Sequence, residues 1–269
     1  MPNRSPGPHT GVRAVQLTDR DRLLLEFMAE HRIVLTHHVT RLLEVSPRAA
    51  SDRLSGLASA GYVRRDSLFH RQAASHQITR KGLAVIDSDL RPPGRDLRSY
   101  HHDIGVTWLW LAARAGMFGF LRAVVTERRM RWHDATEEGR GEPMAVYLGG
   151  VGPYRGRRLH YPDLLLVDHS GKRIAVELEL TSKGRTRREG ILSGYGADPR
   201  VEGVLYLAGN AAVARHVRDS ARKLGISDRI LVQRARLDSS TPAPAHESRT
   251  AQRAPAAQPR AGLTMDPSP

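Results

Sequence analysis

Tyr161-Pro162-Asp163-Leu164-Leu165-Leu166-Val167-Asp168-His169-Ser170-Gly171-Lys172-Arg173-Ile174-Ala175-Val176-Glu177-Leu178-Glu179-Leu180-Thr181-Ser182-Lys183 is the stretch whose reading decides the fold. It reads as two β-strands joined at a tight turn, Asp168-His169-Ser170-Gly171, the first strand rich in Leu and Val and the second alternating. Side chains on a strand alternate with period two, so Ile174, Val176, Leu178 and Leu180 share one face while Glu177, Glu179 and Thr181 share the other. Asp163 enters the first strand just after Pro162, so three carboxylates on two paired strands converge. Converging carboxylate oxygens are what a hard divalent cation such as Mg²⁺ or Mn²⁺ requires. The same alternation also fits the wet face of an edge strand, with no ligand at all.

Pro162-Asp163 followed by Glu177-x-Glu179 resembles the PD-(D/E)xK nuclease superfamily, with Glu179 where the motif usually has Lys. The wider pattern from Leu17 to about Val232 is similar to the replication-relaxation family of actinobacterial plasmids and mobile elements. That resemblance implies an α+β protein: an N-terminal winged helix-turn-helix domain, then a restriction-endonuclease-like core with a mixed central sheet flanked by helices. It implies DNA as partner, with other replication or mobilisation proteins as further candidates, and a Mg²⁺-dependent DNA endonuclease site. Asp163 and Glu177 would hold the metal. Glu179 would orient or deprotonate the water, and Lys183 would be the nearest substitute for the missing motif lysine. His102 and Tyr195 are the accessory residues that the resemblance points to. The alternative is a non-enzymatic DNA-binding regulator whose nuclease-like domain is only scaffold. Three carboxylates a few ångströms apart repel, so at least one is expected to titrate high without a cation.

The 269 residues suffice for two ordinary domains, and a net charge of +14 points to a polyanionic partner, most simply nucleic acid. Nearly all of that charge is Arg, which GC-rich coding would also produce. With no cysteine, disulfides and thiolate metal sites are excluded, and a reducing cytoplasm is expected. No apolar run is long enough to span a bilayer.

Taken in order, residues 1–16 are expected to be disordered, 17–90 a winged-helix domain, 91–98 a linker, 99–237 the nuclease-like domain and 238–269 a disordered tail. Thr18 with Asp21 forms a capping-box signature, Ser46-Pro47 starts a further helix, and Gly61 stops it. Arg48, Ser51, Asp52 and Arg53 are placed to face a major groove, with Arg64, Arg65, His70 and Arg71 on the wing against phosphates. Such a domain serves either DNA or protein contact. A helix over 99–116 is expected to bury Ile104, Trp108, Leu111 and Ala115. His102 at its start is either functional or a helix-capping histidine. Phe118 to His133 reads as a strand, with Arg128, Arg129 and Arg131 near solvent. Arg185 to Tyr195 reads as a helix whose first turn carries Arg185, Arg187 and Arg188, an arrangement that a phosphate would offset.

Overall fold

The computed structural model describes residues 16–68, 73–94, 96–148, 158–237 and 263–266. The chain divides into two compact units, Met1–Arg95 and Asp96–Pro269, so the division falls inside the stretch expected to be a linker.

In the first unit the elements run α1 (Asp19–Glu30), β1 (Val34–Leu35), α2 (Thr36–Leu43), α3 (Pro47–Ser59), β2 (Val63–Asp66), β3 (Ser75–Ile78) and α4 (Arg80–Val85). Local chemistry sets their ends. Thr18 Oγ1 accepts from Asp21 N at 3.3 Å and the Asp21 carboxylate accepts from Thr18 N at 2.7 Å, a reciprocal capping box. Ser46 caps α3 with Pro47 at its first position. Gly61, at φ 78°, lets the chain leave α3 in the left-handed region that a side chain disfavours. Leu24, Phe27, Met28 and His31 of the first helix and its exit are buried, as are Ala50, Leu54 and Leu57 of α3. Strands β2 and β3 form a hairpin, and β1 extends it into a three-stranded antiparallel sheet of order β1-β3-β2.

The second unit is a mixed α+β layer structure. Its elements are α5 (Tyr100–Arg114), β4 (Leu121–Thr126), α6 (Glu127–Ala135), α7 (Glu137–Gly141), β5 (Val146–Tyr147), β6 (Leu159–His160), β7 (Leu164–Asp168), β8 (Arg173–Glu179), α8 (Arg185–Ala197), β9 (Val201–Ala208), α9 (Ala211–Lys223), β10 (Ile230–Leu237) and β11 (Leu263–Asp266). The sheet order is β11-β10-β9-β8-β7-β4. β4, β7 and β8 are antiparallel neighbours, while β8, β9 and β10 run parallel because α8 and α9 return the chain between them. Leu164, Leu166, Val176, Leu178, Leu205 and Leu207 pack with Leu109 and Ala113 of α5 on one face. On the other, Ala175, Val204 and Tyr206 meet Ile191, Leu192 and Tyr195 of α8 and Val213 and Val217 of α9. β8 is therefore a central strand covered on both faces, not the edge strand with a wet face that alternation also allowed.

Three expectations about the elements are corrected. The segment expected to be one strand over 118–133 is β4 followed by α6: Thr126 accepts from Arg129 N at 3.3 Å and caps a helix that carries Arg128, Arg129 and Arg131. The face α5 buries is shifted. Leu109, Leu111 and Ala113 are buried, Ile104 and Trp108 only partly, and Ala115 is exposed. Leu263–Asp266, inside the stretch expected to be disordered, pairs antiparallel with β10 through the register Leu237↔Leu263 to Arg234↔Asp266, completing the backbone bonds of that strand's free side. Residues 1–15, 238–262 and 267–269, also expected to be disordered, lie outside the described residues, as do His70 and Arg71 of the expected wing.

Candidate functional site: a buried carboxylate cluster

Strand pairing brings the acidic residues together. Asp163 sits just before β7, and its Oδ2 accepts from the backbone N–H of Leu178 at 2.7 Å, locking it beside the segment Glu177–Glu179 of β8. Glu177 and Glu179 share the face of Ala175, under α8, and their side chains are 2% and 1% exposed. An ionised carboxylate so placed must find donors within the protein, because burial alone disfavours its charge strongly.

Those donors come from five separate segments. His160 Nε2 on β6 and the Tyr195 hydroxyl on α8 both lie 2.6 Å from Glu177 Oε1. The Glu177 oxygens are acceptors, so His160 Nε2 carries the proton that faces them. Lys183, in the turn after β8, reaches back to place Nζ 3.3 Å from Glu177 Oε2 and 3.7 Å from Glu179 Oε2. Its backbone N–H donates to Glu179 Oε1 at 2.8 Å. The Tyr206 hydroxyl, on the neighbouring strand β9, donates to Glu179 Oε2. His102 Nε2 of α5 lies 3.1 Å from Asp163 Oδ1. Every carboxylate oxygen in the cluster thus has a donor.

The titration of these groups follows from the contacts. Burial pushes the Glu177 carboxyl up, but the charges of His160 and Lys183 and the hydrogen bonds from His160 and Tyr195 outweigh it and lower it to about 2. Glu177 is therefore not a carboxyl held high by mutual repulsion, because the Lys183 ammonium stands beside it and Glu179. Burial would lower Lys183, yet the charges of Glu177, Asp163 and Glu179 outweigh it and keep the ammonium above its ordinary value. Burial also opposes charge on His102, but Asp163 and Asp103 win and raise it to about 10. Tyr195 and Tyr206 are both pushed up, by burial first and then by the neighbouring carboxylates, so both phenols stay protonated and donate.

The divalent cation that the resemblance implies can be set against these contacts. Mg²⁺ needs carboxylate oxygens free to approach to about 2.1 Å in an octahedral arrangement. Here the oxygens of Asp163, Glu177 and Glu179 are bonded to protein donors, and an ammonium stands where Glu177 and Glu179 would share an ion. Among the described residues no group of three or more His, Cys, Asp or Glu side chains is placed to hold a metal ion. The residues as arranged do not fit the metal.

Of the remaining residues singled out, Arg48 and Ser51 lie exposed on α3, with Arg48 Nε 3.8 Å from Asp52. Arg65 is exposed on β2; Arg64 beside it is exposed too but bonded to Asp66 at 2.9 Å and to Gln77. Arg53 does not face outward as expected: its guanidinium forks onto the buried Asp21 carboxylate. Arg185 and Arg187 are exposed on α8, with Arg185 bonded to Glu189 at 2.8 Å. Arg188 is buried, donating to Ser220 Oγ and to the Lys183 carbonyl, each at 3.0 Å, which takes it off the surface expected for DNA. His160 and Tyr206 are the residues that sequence reasoning missed. Tyr206 carried a signal, a lone hydroxyl in the apolar run Val204-Leu205-Tyr206-Leu207-Ala208; His160 carried none beyond its closeness to Asp163.

No protein-family model and no curated protein sequence matches this chain. No helix among the described residues is long and apolar enough to cross a membrane.

Proposed function

We propose that this chain is a DNA-binding protein of plasmid or mobile-element replication or relaxation, with a winged helix in the first unit and a nuclease-like fold serving as scaffold in the second. Three helices followed by a β-hairpin in the first unit support the winged-helix reading, with α3 entering the major groove and β2 riding on the backbone. The order α5-β4-β7-β8-α8-β9, interrupted between β4 and β7 by α6, α7, β5 and β6, with acids at the start of β7 and along β8, supports the nuclease-like reading. The observation that carries the proposal is the sorting of charge. The cluster acids are turned inward and neutralised there, while Arg48, Arg65, Arg185 and Arg187 stand in solvent on a chain of net charge +14. Surface arginine drives non-specific duplex binding through counterion release. The test is duplex affinity against salt concentration: Arg48→Ala with Arg65→Ala should reduce the log–log slope by about one unit for each phosphate that is no longer neutralised. An unchanged slope and affinity would refute the DNA-binding reading of the first unit.

A second reading, a Mg²⁺-dependent DNA endonuclease, would require Lys183 to leave Glu177 and Glu179 so that the ion could enter, and draws on one observation. The Lys183 and His102 side chains at the rim of the cluster are 25% and 33% exposed, so solvent reaches that rim though not Glu177 or Glu179. Nicking of supercoiled plasmid that is lost in both Asp163→Asn and Glu177→Gln would select it over the scaffold.

A further inference from the structure

Lys183 is held by its backbone at both sides. Its N–H donates to Glu179 Oε1 at 2.8 Å, and its carbonyl accepts from Arg188 at 3.0 Å. Arg188 is itself anchored on Ser220 of α9 at 3.0 Å, so the turn after β8 is tied to two helices. With the main chain pinned there, the side chain turns back along the strand and sets its ammonium between Glu177 and Glu179, 6.0 Å from the centre of the Tyr206 ring. The arrangement is directional. The strand exit, the helix and the anchor on α9 all act to point one cation at two buried carboxylates.

We infer that Lys183 is a tethered counter-cation that occupies the place a divalent ion would otherwise take in this cluster, and that it keeps the protein free of metal there. The inference rests on the scaffold reading of the second unit and deepens it. Two adjacent buried carboxylates need one cation between them: a bound ion supplies it from solution, whereas a lysine supplies it from the chain at no loss of translational freedom. A free divalent ion must then displace an ammonium that is covalently present at high effective concentration. Removal of the ammonium leaves Glu177 and Glu179 buried and under-neutralised, and such a pair is what a hard divalent cation fits.

The experiment uses the full chain and MnCl₂ as probe. Wild type, Lys183→Met, Lys183→Arg and the double variant Glu177→Gln/Lys183→Met are melted in EDTA and in Mn²⁺, and Mn²⁺ uptake is measured by calorimetry. Trp108, Trp110 and Trp132 all lie in the second unit, so tryptophan fluorescence follows that unit alone. Wild type and Lys183→Arg should be indifferent to Mn²⁺. Lys183→Met should melt lower in EDTA and rise by roughly 5–10 °C when Mn²⁺ reaches about a hundred times its dissociation constant, with one ion taken up. The double variant, which removes one charge of each sign, should melt near wild type and ignore Mn²⁺. Stoichiometric Mn²⁺ binding by wild type overturns the inference, as does a Lys183→Met protein that Mn²⁺ does not stabilise. If Lys183→Met does not fold, a folded double variant supports the inference and an unfolded one overturns it. None of these measurements touches the salt dependence of DNA binding, so that proposal fails or stands separately.

Discussion

Replacing Arg53 by alanine separates a structural arginine from a DNA-reading one. Its guanidinium forks onto Asp21, whose side chain is 2% exposed against 34% for Arg53, and Asp21 also closes the capping box of α1. Breaking a fully buried ion pair costs about 3–5 kcal/mol, since the remaining charge is stranded. A third of Arg53 meets solvent and water can enter in its place, which discounts the loss to roughly 1.5–3 kcal/mol. In a unit of this size that lowers the melting temperature by roughly 6–24 °C. The loss should be confined to the first unit. Circular dichroism, which sees both units, should show an early transition, while tryptophan fluorescence of the second unit stays where it was. The pH dependence has a definite sign. Burial raises the Asp21 carboxyl, but hydrogen bonds from Arg53 and Thr18 outweigh it and lower its pKa below 3.8. The stabilisation is therefore complete above about pH 4 and is lost as pH falls through the lowered folded value. Arg53→Ala should flatten that acid limb, and Asp21→Asn with Arg53→Ala should lose less than the sum of the two single changes. An Arg53→Ala protein with unchanged stability and a shallower salt slope for duplex binding would refute the assignment and return Arg53 to the DNA face.

Tyr195→Phe and Tyr206→Phe each remove a donor to a buried carboxylate. Each should destabilise the second unit by about 1.5–3 kcal/mol in urea unfolding followed by fluorescence, and neither should abolish duplex binding. His38 and His76 are buried and held below the ordinary histidine value, by burial first in both cases, so their stabilisation is full above about pH 6.5 and is lost as pH falls below it. The first unit should therefore weaken between about pH 7 and 5, and His38→Asn, which keeps an acceptor for the Leu35 N–H, should reduce that slope. Brief trypsin digestion should cut first near 95–98 and leave two folded pieces. Early cutting inside 160–182 with that linker intact would contradict the two-unit division.

Legible in the sequence is what neighbouring residues determine. The Thr18–Asp21 box, the Ser46-Pro47 start and the Gly61 stop involve partners close along the chain, and the turn Asp168–Gly171 closes on itself, with Lys172 N bonded to Asp168 Oδ1 at 2.9 Å. The buried face of α5 is not legible because Val106, Trp108, Leu109, Trp110, Leu111, Ala112 and Ala113 are apolar nearly all round the helix, so periodicity carries no contrast. Helix α6 reads as strand because Val124-Val125 precedes Met130 and Trp132 at even spacing, while the deciding signal is the cap Thr126. Arg53 and Arg188 read as outward cations because charge count says nothing of direction; each proves to be the partner of a group far along the chain, Asp21 or Ser220.

Alternation along β8 is visible in the sequence, but its meaning depends on what covers the strand. On an edge strand Glu177 and Glu179 would be hydrated and would need no partner. Between β7 and β9, with α8 above, the same residues are cut off from water and must be met by donors from β6, α8, β9 and the strand's own exit. Long-range pairing supplies each of those donors, and none can be assigned from spacing. The consequence bears on how an acidic motif is read in any sheet of this kind. Convergence of carboxylates shows only that a positive charge is required there. An ion or a side chain can supply it, and here Lys183, its main chain bonded to Glu179 and Arg188, places an ammonium 3.3 Å from Glu177 and 3.7 Å from Glu179.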